Sequence, residues 1–178
     1  MENEIALGGE LPKTRIAELF IGLNNICLVL ISITALFGPA IRFNDTLFWY
    51  HLTFGLTTVA MGLFALVSAM FYLVVSGMGI REAVARHKLP PDLFARTRAF
   101  KSELFPWCMG AVVLLITMMA LGGGVHRGWI SKYYHLAFAI ITIVVYLVAV
   151  RRMKTTFHKN TLLVVEVVEA IEKAEGER

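Results

Sequence analysis

Four long apolar stretches, Leu19 to Pro39, Leu47 to Ile80, Leu104 to Val125 and Tyr133 to Val150, constrain this chain more than any other feature. Each is near or above the roughly 20 residues that a helix needs to cross about 30 Å of hydrocarbon. A bilayer offers no water to satisfy backbone N–H and C=O groups, and the period-2 alternation of barrel strands is absent, so each stretch is expected to be a transmembrane helix. Composition agrees: 57% of the 178 residues are hydrophobic and 17% charged, against about 45–50% and about 25% in soluble domains. A soluble enzyme is excluded on those grounds.

The segments between the spans orient the chain. The N-terminal tail, the middle segment and the C-terminal segment carry 2, 6 and 6 Lys or Arg, while the two short hairpin loops carry only Arg42, Arg127 and Lys132. That 14-to-3 split predicts cytoplasmic termini and hairpin loops on the outer side, as expected of a multi-pass protein of the cell inner membrane. Because the basic residues fill gaps between apolar runs, no nucleic-acid partner is expected from the net charge of +4. The expected segments are a cytoplasmic tail (1–18), a first transmembrane hairpin (19–80), a basic cytoplasmic loop (81–103), a second hairpin (104–150) and a cytoplasmic amphipathic helix (151–178). Nothing in the tail has the pattern of a cleaved signal peptide.

The two hairpins repeat one another. Thr14-Arg15 and Glu18-Leu19-Phe20 recur as Thr97-Arg98 and Glu103-Leu104-Phe105. The register then holds at 85 positions through Gly38 and Arg42, matched by Gly123 and Arg127. One residue is lost in the loop, and Tyr50-His51-Leu52, Phe54 and Thr58 match Tyr134-His135-Leu136, Phe138 and Thr142 at 84. The expected fold is all-α: four transmembrane helices in a four-helix bundle, built as two parallel-repeated hairpins, followed by the C-terminal helix. An axis along the membrane normal would then bring His51 and His135 to equivalent depths.

That pair invites a cofactor. Bundles build cofactor sites from inward-facing side chains, and haem iron accepts axial imidazoles. A b-type haem between His51 and His135 is therefore one expectation. Gly55 and Ala139, four residues after the histidines, would leave room for a flat ring, and so would Gly38 and Gly122 to Gly124 on the neighbouring spans. Phe54 and Phe138 would pack on the macrocycle, while Arg42 and Arg127 would hold its propionates. The plainer alternative places Trp49-Tyr50-His51 and Tyr133-Tyr134-His135 in interfacial aromatic belts. A third reading adds His126, with Asp45 nearby, to the pair as a copper or zinc site. It has an inherent weakness, since Ile41 occupies the position of His126 in the first repeat.

The spans carry no acidic residue in their interiors, which disfavours a pump or a proton-coupled transporter. Asn24-Asn25 is a candidate quinone or lipid contact, with helix–helix hydrogen bonding as its simpler role. Cys27 and Cys108 are expected to be packing residues. Between Thr161 and Lys173, Glu166, Glu169 and Glu172 recur among apolar residues. This acidic stripe suits a protein partner or a second copy, or packing on the chain's own middle segment. The layout resembles, in architecture alone, the four-helix haem-bearing anchors of respiratory complexes. The expected function is a membrane electron carrier or complex subunit, more an electron-transfer or structural component than a stand-alone enzyme, with quinol as a possible donor. The alternative is a non-catalytic subunit that anchors or stabilises a larger complex through its C-terminal helix and extended second span.

Overall fold

The computed structural model describes residues 15–40 and 45–176, and among them the regular structure is entirely helical. The four helices are α1 (Arg15–Ala40), α2 (Asp45–His87), α3 (Asp92–His126) and α4 (Lys132–Gly176). All four are long and apolar enough to cross a membrane. Helix α1 packs on α2 and α3 on α4, α2 also meets α3, and α4 also meets α1. Helices α2 and α4 touch along a central seam, whereas among the described residues the backbones of α1 and α3 do not approach each other closely. The end at which α1 meets α2 and α3 meets α4 is called apical below. The end carrying the α2–α3 connection is called basal.

The expected loop at 81–103 is almost wholly helical. Helix α2 runs through to His87 and α3 starts at Asp92, so only Lys88–Pro91 connects them. The local chemistry explains why the break falls there. Lys88 has a φ of 56°, and the Leu89 N–H reaches back to the Val84 carbonyl at 3.1 Å, a Schellman ending that satisfies an orphan carbonyl of the last turn. Pro90 and Pro91 follow, and neither can extend the α2 hydrogen-bond ladder. The α3 C-terminus closes in the same way on Gly128 (φ 72°), with Trp129 N–H donating to the Gly124 carbonyl at 2.9 Å.

Helices of 43 and 45 residues are about 65 Å long, twice the hydrocarbon thickness. The surplus forms a second packed unit at the basal end. Ile80, Leu89, Leu93, Phe100, Leu163 and Val167 make one apolar cluster, separate from the main core. The glutamates of the C-terminal segment are used partly within the chain. Arg96 donates to Glu166 at 2.6 Å, Lys159 to Glu103 at 2.9 Å, and His87 lies 3.6 Å from Glu175. Thus Leu163, Glu166 and Val167 pack back on the middle segment, the arrangement held as the alternative to a protein partner or a second copy.

The buried faces of the helices align at a separation of 84 residues. Buried Asn24, Cys27 and Ile31 on α1 correspond to buried Cys108, Ala111 and Leu115 on α3 at a separation of 84, whereas Met109 and Ile116, at 85, are exposed. On α2 and α4 the buried sets Thr58, Ala65, Leu66, Ala69, Leu73 and Thr142, Ala149, Val150, Met153, Phe157 also correspond at 84. Apolar letters tolerate a one-residue slip, but the buried stripe of a helix does not, because one residue turns the face by about 100°.

Candidate functional site

Three pairs of residues 84 apart can be followed along the α2–α4 seam. At the basal level, Asn160 Nδ2 donates to Ser76 Oγ at 2.9 Å and Ser76 Oγ donates to Asn160 Oδ1 at 3.2 Å. At mid-height, Tyr146 lies against Gly62, where a Cβ would sit 3.6 Å from the Tyr146 ring. The Tyr146 hydroxyl donates to Asn24 Oδ1 at 2.9 Å, and Asn24 Nδ2 donates to the carbonyls of Phe20 at 2.9 Å and Ala65 at 3.3 Å. Asn24 is thus completely buried and hydrogen-bonded on both sides, which assigns it to helix–helix bonding. Asn25 turns back onto its own helix through the Ile21 carbonyl at 2.9 Å.

At the apical level the pair is His51 and His135. Their ring centres lie 6.2 Å apart with the planes at 83°. His135 is three residues from the start of α4 and His51 six residues from the start of α2, so the histidines face each other although the helices begin about one turn out of step. Both rings are half-buried, while Trp49, Tyr50, Tyr133 and Tyr134 beside them are exposed. The aromatic belt and the histidine pair are therefore two features: the belt faces outward and the imidazoles turn into the seam.

Each ring is positioned by the other helix of its hairpin. His51 Nδ1 lies 3.1 Å from the Thr34 carbonyl on α1. A carbonyl only accepts, so Nδ1 carries the proton and Nε2 keeps its lone pair. The His51 ring passes over Gly38, where a Cβ would lie 3.9 Å from Cε1. On the other side, the His135 ring lies over Gly122, with Cε1, Nδ1 and Nε2 at 3.2, 3.7 and 3.8 Å from the place of a Cβ. His135 Nδ1 is buried and has no hydrogen-bond partner. A buried polar atom left in this way costs free energy, and it is the one polar side-chain atom of its kind among the described residues.

The remaining expected residues divide. Gly55 lets α1 approach α2, since its Cβ would meet the Thr34 methyl at 3.6 Å. Ala139 is buried and Phe138 half-buried, but Phe54 is 50% exposed, so half of its surface is turned away from the helices. Arg127 is exposed at the C-cap of α3. Arg42 and the Asp45 side chain lie outside the described residues. His126 stacks on Phe48, with ring centres 4.8 Å apart and planes at 17°. It does not complete a three-histidine metal centre: among the described residues, no group of three or more His, Cys, Asp or Glu side chains is placed to hold a metal ion.

Two features escaped the sequence reading. The Thr34 carbonyl is backbone, so no residue type announces it. Tyr146 could have been found, because it is the one tyrosine deep inside the fourth apolar stretch and a buried phenol needs a partner. Compared with known proteins, the chain matches no family model, no curated protein and no solved structure.

Proposed function

We propose that this chain is a membrane electron-transfer protein, or the electron-carrying subunit of a respiratory complex, that holds a b-type haem between His51 and His135. The fold reading that goes with it is a duplicated hairpin, parallel about an axis along the membrane normal, with cytoplasmic termini in a cell inner membrane. The observation that carries the proposal is the pair itself: two identical imidazoles facing each other across the seam, one with a free Nε2 lone pair and the other with an orphaned Nδ1. The ring centres stand 6.2 Å apart, near enough for one bound group to be held by both imidazoles.

Haem would supply one-electron cycling at its iron. The protein's part is positioning. The Thr34 carbonyl fixes the His51 tautomer and raises the basicity of the opposite nitrogen. Gly38 and Gly122 give the two imidazoles room against α1 and α3. Arg127, and Arg42 in the other hairpin, would meet the propionates at the apical rim. The belt of Trp49, Tyr50, Tyr133 and Tyr134 would hold this level at the headgroups, where a lipid-soluble quinol can reach it.

The absorption spectrum of the purified protein, expressed with adequate haem supply, tests the proposal. A Soret band is expected, and His51→Ala and His135→Ala should each abolish the bis-histidine spectrum while His126→Ala leaves it intact. A colourless wild-type preparation would sink it. A second reading, a non-catalytic subunit that anchors or stabilises a larger complex, draws on the exposed apolar stripe of α2. From Leu52 to Met78 that stripe covers about 39 Å, longer than the hydrocarbon thickness. Colourless protein that co-purifies with other chains would favour it. A copper or zinc centre built with His126 is not favoured, because among the described residues no three His, Cys, Asp or Glu side chains are placed to hold a metal ion.

A further inference from the structure

On the outside of the bundle, where α3 and α4 leave the apolar zone toward the basal end, a groove of about 410 Å³ opens between the two helices. Its walls carry Arg151, Arg152 and Lys159 of α4 and Glu103 of α3. Three cations against one carboxylate leave the groove positive, and the carboxylate is already held by Lys159 at 2.9 Å. Arg151 has no ion-pair partner among the described residues. Arg152 lies over the Trp107 ring at 5.0 Å, a stack that holds the guanidinium plane while leaving its N–H edge free for an oxyanion.

The depth of the groove is that of a headgroup. Arg151 follows the exposed Tyr133 by 18 residues along α4, about 27 Å of helix and close to one hydrocarbon thickness. Tryptophan is enriched at this level. Val148 lines the groove at its upper edge, and exposed Val144 and Ile141 continue the same helical face toward the middle of the span. The cationic groove therefore opens onto an apolar track.

We propose that this groove binds the phosphate of an anionic phospholipid, with Arg151 and Arg152 on the phosphate oxygens and an acyl chain along the Val148 face. Basic pockets between spans recognise lipid phosphate through charge-assisted hydrogen bonds, and planar guanidinium groups can make two at once. A free phosphate would meet the same cations but would leave the apolar track unused.

Native mass spectrometry of the purified chain tests this, with titration by phosphatidylglycerol, phosphatidylcholine or inorganic phosphate. Wild type should retain phosphatidylglycerol in preference to phosphatidylcholine. The Arg151→Gln/Arg152→Gln variant, which keeps most of both side-chain stems, should bind it about 30-fold more weakly, taking each cation as worth about fivefold near anionic lipid. Arg81→Gln/Arg86→Gln removes two exposed charges elsewhere at the basal end and should leave binding unchanged. Helical circular dichroism and a single size-exclusion peak establish that both variants fold. Equal losses in the two variants, no preference for the anionic lipid in wild type, or displacement by millimolar inorganic phosphate would each overturn the assignment. If the double variant fails to fold, Arg151→Gln alone should still weaken binding about fivefold, and unchanged binding there would overturn it as well.

Discussion

Along the α2–α4 seam, the middle and the apical level have followed opposite rules. At mid-height the residues 84 apart are unlike: Gly62 faces Tyr146, and buried Asn24 on α1 stands 84 residues before buried Cys108 on α3. The basal pair, Ser76 and Asn160, is unlike too. At the apical level both positions are histidine. Where two residues touch across a seam, complementarity favours difference, since two tyrosines would overfill the space that one tyrosine and one glycine share, and two glycines would leave a void. Two like imidazoles that make no hydrogen bond to each other do not follow that rule. The difference supports reading them as a pair directed at a third group.

The strongest way to break the comparison is to move the asymmetry. Gly62→Tyr with Tyr146→Gly places the large residue on the wrong hairpin, away from Asn24, and should destabilise the protein by about 3–5 kcal/mol, as loss of a large buried ring does. Adding Asn24→Cys and Cys108→Asn transfers the rest of the cluster, and denaturant unfolding in detergent should then show most of the stability restored. If the fourfold variant is no better than the twofold one, the two hairpins are not equivalent at mid-height.

Removing only the polar partner is a smaller perturbation. Asn24→Ala strands the Tyr146 hydroxyl, and a cost of about 1–3 kcal/mol is expected in the same unfolding assay. The two apical glycines should then separate the hairpins at the level where they are alike. In Gly122→Ala the new methyl meets the His135 ring at 3.2 Å, but in Gly38→Ala it meets His51 only at 3.9 Å. The first should cost about 1–3 kcal/mol, and the second should be neutral or gain up to about 1 kcal/mol of helix propensity. If haem binds as proposed, only Gly122→Ala should broaden or shift its Soret band. The smallest effect concerns the two Schellman endings, one on Lys88 and one on Gly128. Lys88→Gly removes the side-chain penalty of the left-handed conformation and should raise stability by about 1 kcal/mol, measured as an increase in the unfolding midpoint.

What could be read from the letters follows from what each physical signal resolves. Apolar length is a coarse property, so the four helices were legible. A likeness of the hairpins was expected at 85 positions on the first span, whereas the buried faces align at 84, because Leu, Ile, Val and Met match one another at neighbouring positions. The middle segment was expected to be basic and amphipathic, broken at Pro90-Pro91, and the helices do part there; what Arg96, Arg98 and Lys101 concealed is the buried face that Leu93, Thr97, Phe100 and Leu104 share. At the candidate site, the histidines and glycines were visible, but the hydrogen bond that sets the His51 tautomer goes to backbone. The propionate role proposed for the arginines rests on Arg127 alone among the described residues.

The connection at Lys88–Pro91 is four residues long. On the duplication proposed above, that short tether does more than join two halves. A separate hairpin would have to find its twin by diffusion in the bilayer, and every substitution would appear twice, once on each side of the contact. Joined by four residues, the halves meet at an effective concentration in the millimolar range or above, and each position can change alone. Tyr146 opposite Gly62 is an arrangement open to a single polypeptide and closed to a homodimer of identical hairpins.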